Sequence, residues 1–97
     1  MNKKFLILDV ETANSLDDPL VYDIGFAVID GLGKVFETGS YVIADTFLNP
    51  EIMASAYFAE KIPQYQKEIN EGKRTLRKLK TVKFIIWDVI KKYDIPA

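Results

Sequence analysis

The sequence contains no cysteine and no histidine among its 97 residues. Without thiols, neither a disulfide framework nor a thiolate metal site can hold the core together, and a reducing, cytoplasmic setting suits the chain. Long hydrophobic runs are lacking too. After the opening MNKK the apolar run covers only residues 5–8 before Asp9 breaks it, too short for the core of a signal peptide or for a membrane span. The chain reads as soluble. It shows no internal repeat and no low-complexity tract, and its length suits one small domain with a modest core.

The overall charge is small, −1, but it is unevenly placed. Residues 1–60 hold 3 basic and 10 acidic side chains, about −7, whereas residues 61–97 hold 10 basic and 4 acidic, about +6. An acidic half can supply metal ligands and a basic half can attract phosphates. A solvated basic helix face accounts for the second half equally well.

Three strands and then helices are expected along the chain, an α+β order. Residues 5–12 carry apolar side chains on both faces before the carboxylates begin, the pattern of a strand buried on both sides, and the first strand is expected over about 4–11. The turn formers of residues 13–19 make a loop, since Pro19 discourages helix through Asp18. Residues 21–30 and 34–43 are rich in β-branched and aromatic side chains and flank Asp30-Gly31-Leu32-Gly33-Lys34, a hairpin signature. The three strands should form an antiparallel sheet. Asn49-Pro50-Glu51 offers a helix cap, a first-turn proline and an early acid, so residues 49–57 are expected to be helical. Pro63 bends or restarts a helix within 59–70.

Residues 75–93 show the clearest helical spacing. Leu76, Leu79, Val82, Ile86, Val89, Ile90 and Tyr93 share one stripe, and most of the lysines and arginines fall off it. Phe84, Ile85 and Trp87 land on another side and need a cover of their own.

The chemistry-bearing candidates lie at the end of the first strand. Side chains alternate along a strand, so Asp9 and Glu11 project from one face, where two carboxylates repel unless a cation lies between them. Oxygen ligands of this kind suit Mg²⁺ or Mn²⁺, which keep several waters and accept phosphate oxygens. Asp-x-Glu also arises wherever a buried strand emerges into solvent. A Walker B strand is excluded because Gly31-Leu32-Gly33-Lys34 lacks the spacing of a phosphate-binding loop.

The apolar strand, Asp9-Val10-Glu11-Thr12, the polar loop and the segment YDIGFAVID at 22–30 together resemble the first two strands of DnaQ-like, DEDD-type 3′ to 5′ exonucleases. In that family the second-strand glycine also precedes a hydrophobic run. The resemblance continues through the hairpin, the 49–65 region and the 75–93 helix, spans essentially the whole chain and looks closest to phage-type members. It implies part of an RNase H-like fold, with Asp9 and Glu11 as ligands of a catalytic metal pair and Thr12 beside the terminal nucleotide. The family also needs a second motif with an aspartate, and a third with a His or Tyr base and a final aspartate. Asp88 and Asp94, the only late aspartates, match neither setting. The expectation is therefore the N-terminal part of such a domain, not self-sufficient in catalysis.

In the family sheet the first strand lies between the second and a later strand. With that later strand missing from the 97 residues, the first strand should present an open edge, and a homodimer or a partner subunit is expected there. Three functional readings follow. One is a metal-dependent exonuclease acting on DNA or RNA. Another is a non-catalytic phage protein that binds or inhibits a host nuclease or a replication or defence complex. The third is a nucleic-acid binder holding phosphates through Lys73, Arg74, Arg77, Lys78, Lys80 and Lys83, among which Arg74, Arg77, Lys78 and Lys80 are the principal candidates.

Overall fold

The computed structural model describes residues 3–56 and 59–96. The chain is α+β, with a four-stranded mixed sheet and several helices. Strands β1 (Lys4–Asn14), β2 (Pro19–Asp30) and β3 (Val35–Ile43) form an antiparallel meander, and the two-residue β4 (Leu76–Arg77) runs parallel to β3. The sheet order is β1-β2-β3-β4, so β1 lies at an edge. The expected three-stranded antiparallel sheet is thus extended. Leu76 and Arg77, expected to open the long helix, instead pair with Val42 and Ile43.

Both turns of the meander are built by side chains. At the first, β1 runs on to Asn14, which takes the left-handed φ of 73° that asparagine tolerates. Its Nδ2 donates to the Asp18 carbonyl at 2.9 Å, so the loop expected over 13–19 contracts to a turn over 15–18. At the second, Gly33 supplies a φ of 86°, and Asp30 Oδ1 accepts the N–H groups of Leu32 and Lys34, each at 2.9 Å. The bond from the Lys34 N–H, aided by that from Leu32, holds the Asp30 carboxyl below its ordinary range against the opposing effect of burial.

The long helix is α4 (Leu79–Lys92), which packs on one face of the sheet. Directly opposed residues share a face, so Leu6, Val28 and Glu37 form one row, Leu8, Phe26 and Gly39 the next, and Val10, Ile24 and Tyr41 the third. Val82 of α4 packs with Ile24 and Ile43, and Val89 with Phe26 and Val28. The expected stripe is therefore the buried one. Ile85 departs from expectation, since it joins the Phe26 and Val28 cluster while Phe84 and Trp87 stay 61% and 54% exposed. Both ends of α4 are tied to distant elements. Asp45 Oδ1 accepts the Leu79 N–H at 2.8 Å, a carboxylate at the positive helix end, and Glu37 takes Lys92 Nζ at 3.0 Å and the Tyr93 hydroxyl at 2.9 Å.

Short helices cover one end of the opposite face: α1 (Ala44–Phe47), α2 (Pro50–Met53) and, after a 3₁₀ turn at Ala59–Lys61, α3 (Ile62–Asn70). Asn49 caps α2 through its Oδ1, as its sequence signature suggests. That helix nonetheless ends at Met53, short of the expected 49–57, and Tyr57 lies outside the described residues. Phe47, Met53 and Ala56 bury Ala13, Tyr22 and Val42.

Strand β1 corrects the sequence reading most strongly. It was expected to be buried on both faces, yet Phe5, Ile7, Leu8 and Val10 are 48%, 49%, 50% and 44% exposed. Helix α4 lies over β2 and β3, and the short helices reach only the far end of β1, so most of β1 is flanked on one side only.

Two outcomes test this packing. A Cβ at Gly39 would stand 2.3 Å from the Phe26 ring, which is buried and cannot swing into solvent. Gly39→Ala should therefore cost about 1–3 kcal/mol in urea denaturation, and less than that when combined with Phe26→Leu. The second concerns acid. The folded state binds the Asp30 proton less tightly than the unfolded chain, so this stabilisation is complete above the ordinary aspartate pKa. It is lost as pH falls through that value, about 4, to the depressed folded one. Asp30→Asn keeps the turn acceptor and removes the charge. Melting temperatures between pH 6 and pH 2.5 should fall less steeply in the variant than in the parent, and parallel curves would contradict the assignment.

Candidate functional site

The sheet face away from α4, which the short helices cover only at one end, carries the candidate carboxylates. From one end of the sheet to the other its rows are Phe5, Ile29 and Val35; Ile7, Ala27 and Thr38; Asp9, Gly25 and Ser40; and Glu11, Asp23, Val42 and Leu76. The first two rows are mainly apolar and the acids fall in the last two. The pairing of Asp9 and Glu11 on one face, read from sequence, is what the register gives, with their Cα atoms about 7 Å apart along the strand. Asp9 is exposed and Glu11 half-buried.

Asp9 faces small neighbours. Opposite it stands Gly25, then Ser40, so the backbone of β2 is uncovered beside the carboxylate. A Cβ at Gly25 would meet no atom closer than the Gly39 carbonyl at 3.8 Å, which leaves open space above the sheet at this point. Among the described residues neither Asp9 nor Glu11 is joined to a cation by a salt bridge. Thr12 follows on the same strand, exposed, just past the register shift between Glu11 and Thr12.

That shift decides the local geometry. Glu11 pairs with Asp23 and Thr12 with Val21, so Tyr22 is the extra residue of a β-bulge. The bulge turns Tyr22 into the cluster with Val42 and Phe47, beside the acids. Burial, and then the Glu11 carboxylate, push the Tyr22 hydroxyl above its ordinary range.

A third carboxylate, Asp23, lies directly across from Glu11 but is already engaged. The Tyr65 hydroxyl donates to Asp23 Oδ2 at 2.5 Å, and Arg74 Nη1 lies 3.6 Å from the same oxygen. Arg74 also bonds Glu68 through Nε and stacks over the Tyr65 ring, 3.9 Å from its centroid. Burial, followed by the bond to Asp23, holds Tyr65 far above the ordinary phenol range, so it acts as a donor and not as a base. Gln64 and then Arg74 keep Glu68 below its ordinary range.

The basic candidates are dispersed. Arg74 is committed to this internal network. Arg77 lies on β4, at the sheet edge opposite β1, with its Nη1 donating to the Leu76 carbonyl, and Lys78 follows it at the N-cap of α4. Lys80 and Lys83 flank Phe84 and Trp87 around a shallow hollow of about 390 Å³ on the outer side of α4. The structure therefore brings Asp9 and Glu11 together on one face, sets Thr12, opposite Val21, on the α4 face, and leaves Arg77 and Lys78 across the sheet from the acids.

Sequence reading missed Asp23, Tyr65 and Glu68. Asp23 had no usable signal, because aligning the two strands about their turn places Tyr22 opposite Glu11, and only the bulge brings Asp23 there. Tyr65 had none, since its partner Asp23 is 42 positions distant, whereas Glu68 lies within one or two helical turns of Gln64 and Arg74 and was overlooked.

The donor set can be weighed against the metal that the resemblance implies. No group of three Asp, Glu, His or Cys side chains among the described residues forms a metal cage. Asp9 and Glu11 are two hard oxygen donors with open space beside them, which fits a Mg²⁺ or Mn²⁺ ion that keeps waters and takes substrate oxygens. They fit part of a two-metal site and do not complete one. No protein-family model matches the chain, and no curated protein and no solved structure matches it. Among the described residues no helix is long and apolar enough to cross a membrane.

Tyr65→Phe tests the network. It removes the hydroxyl that satisfies Asp23 and should destabilise the fold by about 1–2 kcal/mol in chemical denaturation, while Arg74 keeps its bond to Glu68. An unchanged midpoint would show that the Asp23 contact contributes nothing.

Proposed function

We propose that this chain is the N-terminal, metal-binding part of a DnaQ-like 3′ to 5′ exonuclease module of RNase H-like fold, acting on nucleic acid by divalent-metal phosphodiester hydrolysis. One observation carries the proposal: Asp9 and Glu11 share one sheet face, Asp9 open beside Gly25 and Ser40 and Glu11 half-buried at the margin of the short helices, with no cation among the described residues paired to either by a salt bridge. The meander, with the acids on β1, is the order that the resemblance implies.

In this reading Asp9 and Glu11 hold a divalent cation and Thr12 lies beside the terminal nucleotide. Such a cation, when bound, neutralises charge on the phosphate and lowers the pKa of a bound water. The chain's own residues supply ligands and position. The tether of Asp23 to Tyr65 and Arg74 keeps that carboxylate from competing for the ion and fixes the β-bulge next to Glu11. No histidine is present to act as a base, and Tyr65 is held protonated. Hydrolysis therefore requires ligands and a base beyond these residues.

Manganese provides the test. Added Mn²⁺ should broaden the backbone amide resonances around Asp9, Glu11 and Gly25 first, and EDTA should restore them. Asp9→Asn and Glu11→Gln should each weaken binding by roughly tenfold or more, with unchanged circular dichroism. Uniform broadening over all surface acids, or a response that survives both substitutions, would sink the metal-site reading.

A further inference from the structure

We infer that the β1 edge pairs antiparallel with the β1 edge of a second copy of this chain, centred on Ile7 and joining the two sheets into one. The inference does not rest on the metal-site reading.

The pattern of exposure decides what kind of element can cover β1. Phe5 and Ile7 lie on the face away from α4 and Leu8 and Val10 on the α4 face, and all four are between 44% and 50% exposed. A helix or loop laid on one face would leave the other pair bare. An added strand lies in the plane of the sheet and covers both faces at once. It also satisfies the outward N–H and C=O groups that β1, with β2 as its one neighbour in the sheet among the described residues, leaves unpaired. No proline or internal charge interrupts residues 5–8, so the stretch lacks the devices by which edge strands repel additional strands.

Charge selects the occupant. Residues 3–11 begin with Lys3 and Lys4 and end with Asp9 and Glu11, a segment basic at one end and acidic at the other. Such a segment complements itself when reversed. A two-fold axis perpendicular to the sheet keeps each face continuous, so opposed residues must have the same parity. With Ile7 opposite Ile7 of the second copy, Leu6 meets Leu8, Phe5 meets Asp9, and Lys3 meets Glu11. Moving the axis to Leu8 sets Ile7 opposite Asp9 and Phe5 opposite Glu11 and loses the direct charge pair. Moving it to Leu6 keeps a pair between Lys3 and Asp9 but shortens the overlap to residues 3–9.

The α4 side adds apolar surface along the seam. A hollow of about 430 Å³ lies between the start of β1 and Ile90 and Ile95, and exposed Trp87 precedes Ile90 by one helical turn. The paired strands bring these walls together from both copies above Leu6 and Leu8.

Sedimentation equilibrium of the whole chain tests the inference. A dimer is expected in the micromolar to millimolar range. Ile7→Lys places like charges at the two-fold axis, on a side chain already half in solvent, and should give a monomer with unchanged circular dichroism. Lys3→Glu should weaken the dimer on the order of tenfold, since the contact occurs twice, and Lys3→Glu with Glu11→Lys should restore it. A monomeric parent, or an Ile7→Lys chain that associates as tightly as the parent, overturns the inference. If the double charge exchange fails to recover what Lys3→Glu loses, the register centred on Ile7 is overturned.

Discussion

Because side chains alternate across a strand, the register in which β1 meets β2 assigns every residue of the edge strand to one face or the other. A slip of one position would move Asp9 and Glu11 under α4 and turn Leu6 away from Phe26 and Val28. Two turns pin the register. Asn14 closes the β1–β2 turn through its side-chain bond to Asp18, and Asp30 with Gly33 closes the next. The bulge at Tyr22 then changes the phase once, at the end of the acidic row, so that a tyrosine from the α4-facing series packs with Val42 on the other side. The candidate site is where a strictly paired ladder gives way to a bent one, a common place for a sheet to aim functional side chains.

The polar tether beside that bulge reinforces an apolar contact, since Ile62, Tyr65 and Ile69 of α3 pack against the cluster of Tyr22, Val42 and Phe47. Helix α3 has no fully buried residue. It is held through Tyr65, which stacks on Phe47, contacts Tyr22 and bonds Asp23, and through Glu68, which anchors Arg74 in the segment leading to β4. One carboxylate of the sheet thus organises a helix, a connecting segment and the start of the last strand. Partial burial makes these contacts stronger than their surface equivalents, and leaving Asp23 unpaired would be costly in the same measure.

Much of this was legible in the amino-acid order, where local chemistry was strong. The second hairpin followed from Asp30 to Lys34, the α2 cap from Asn49, and the buried stripe of α4 from its spacing. The pairing of Asp9 with Glu11 followed from strand alternation alone. Leu76 and Arg77 were misassigned because helical periodicity cannot show where an apolar residue is drawn into a neighbouring strand. Burial of β1 was overestimated because an apolar run reports only what a strand can bury, and the covering element must come from elsewhere. Arg74 looked like a phosphate ligand because its partners, Asp23, Tyr65 and Glu68, are assembled by the fold.

The strands stand in the sheet in the order in which they occur in the chain. Each of the first three meets its neighbour across a turn of only a few residues, so little loop-closure entropy is spent before the ladder forms. Low contact order of this kind favours rapid assembly, and either hairpin can form as soon as its own residues are free to collapse. The Tyr65 to Asp23 bond joins residues 42 positions apart. Closing that loop, like the one spanned by the Tyr93 to Glu37 bond 56 positions apart, costs more entropy than closing a hairpin, so both helical layers dock on a meander whose own pairing is local.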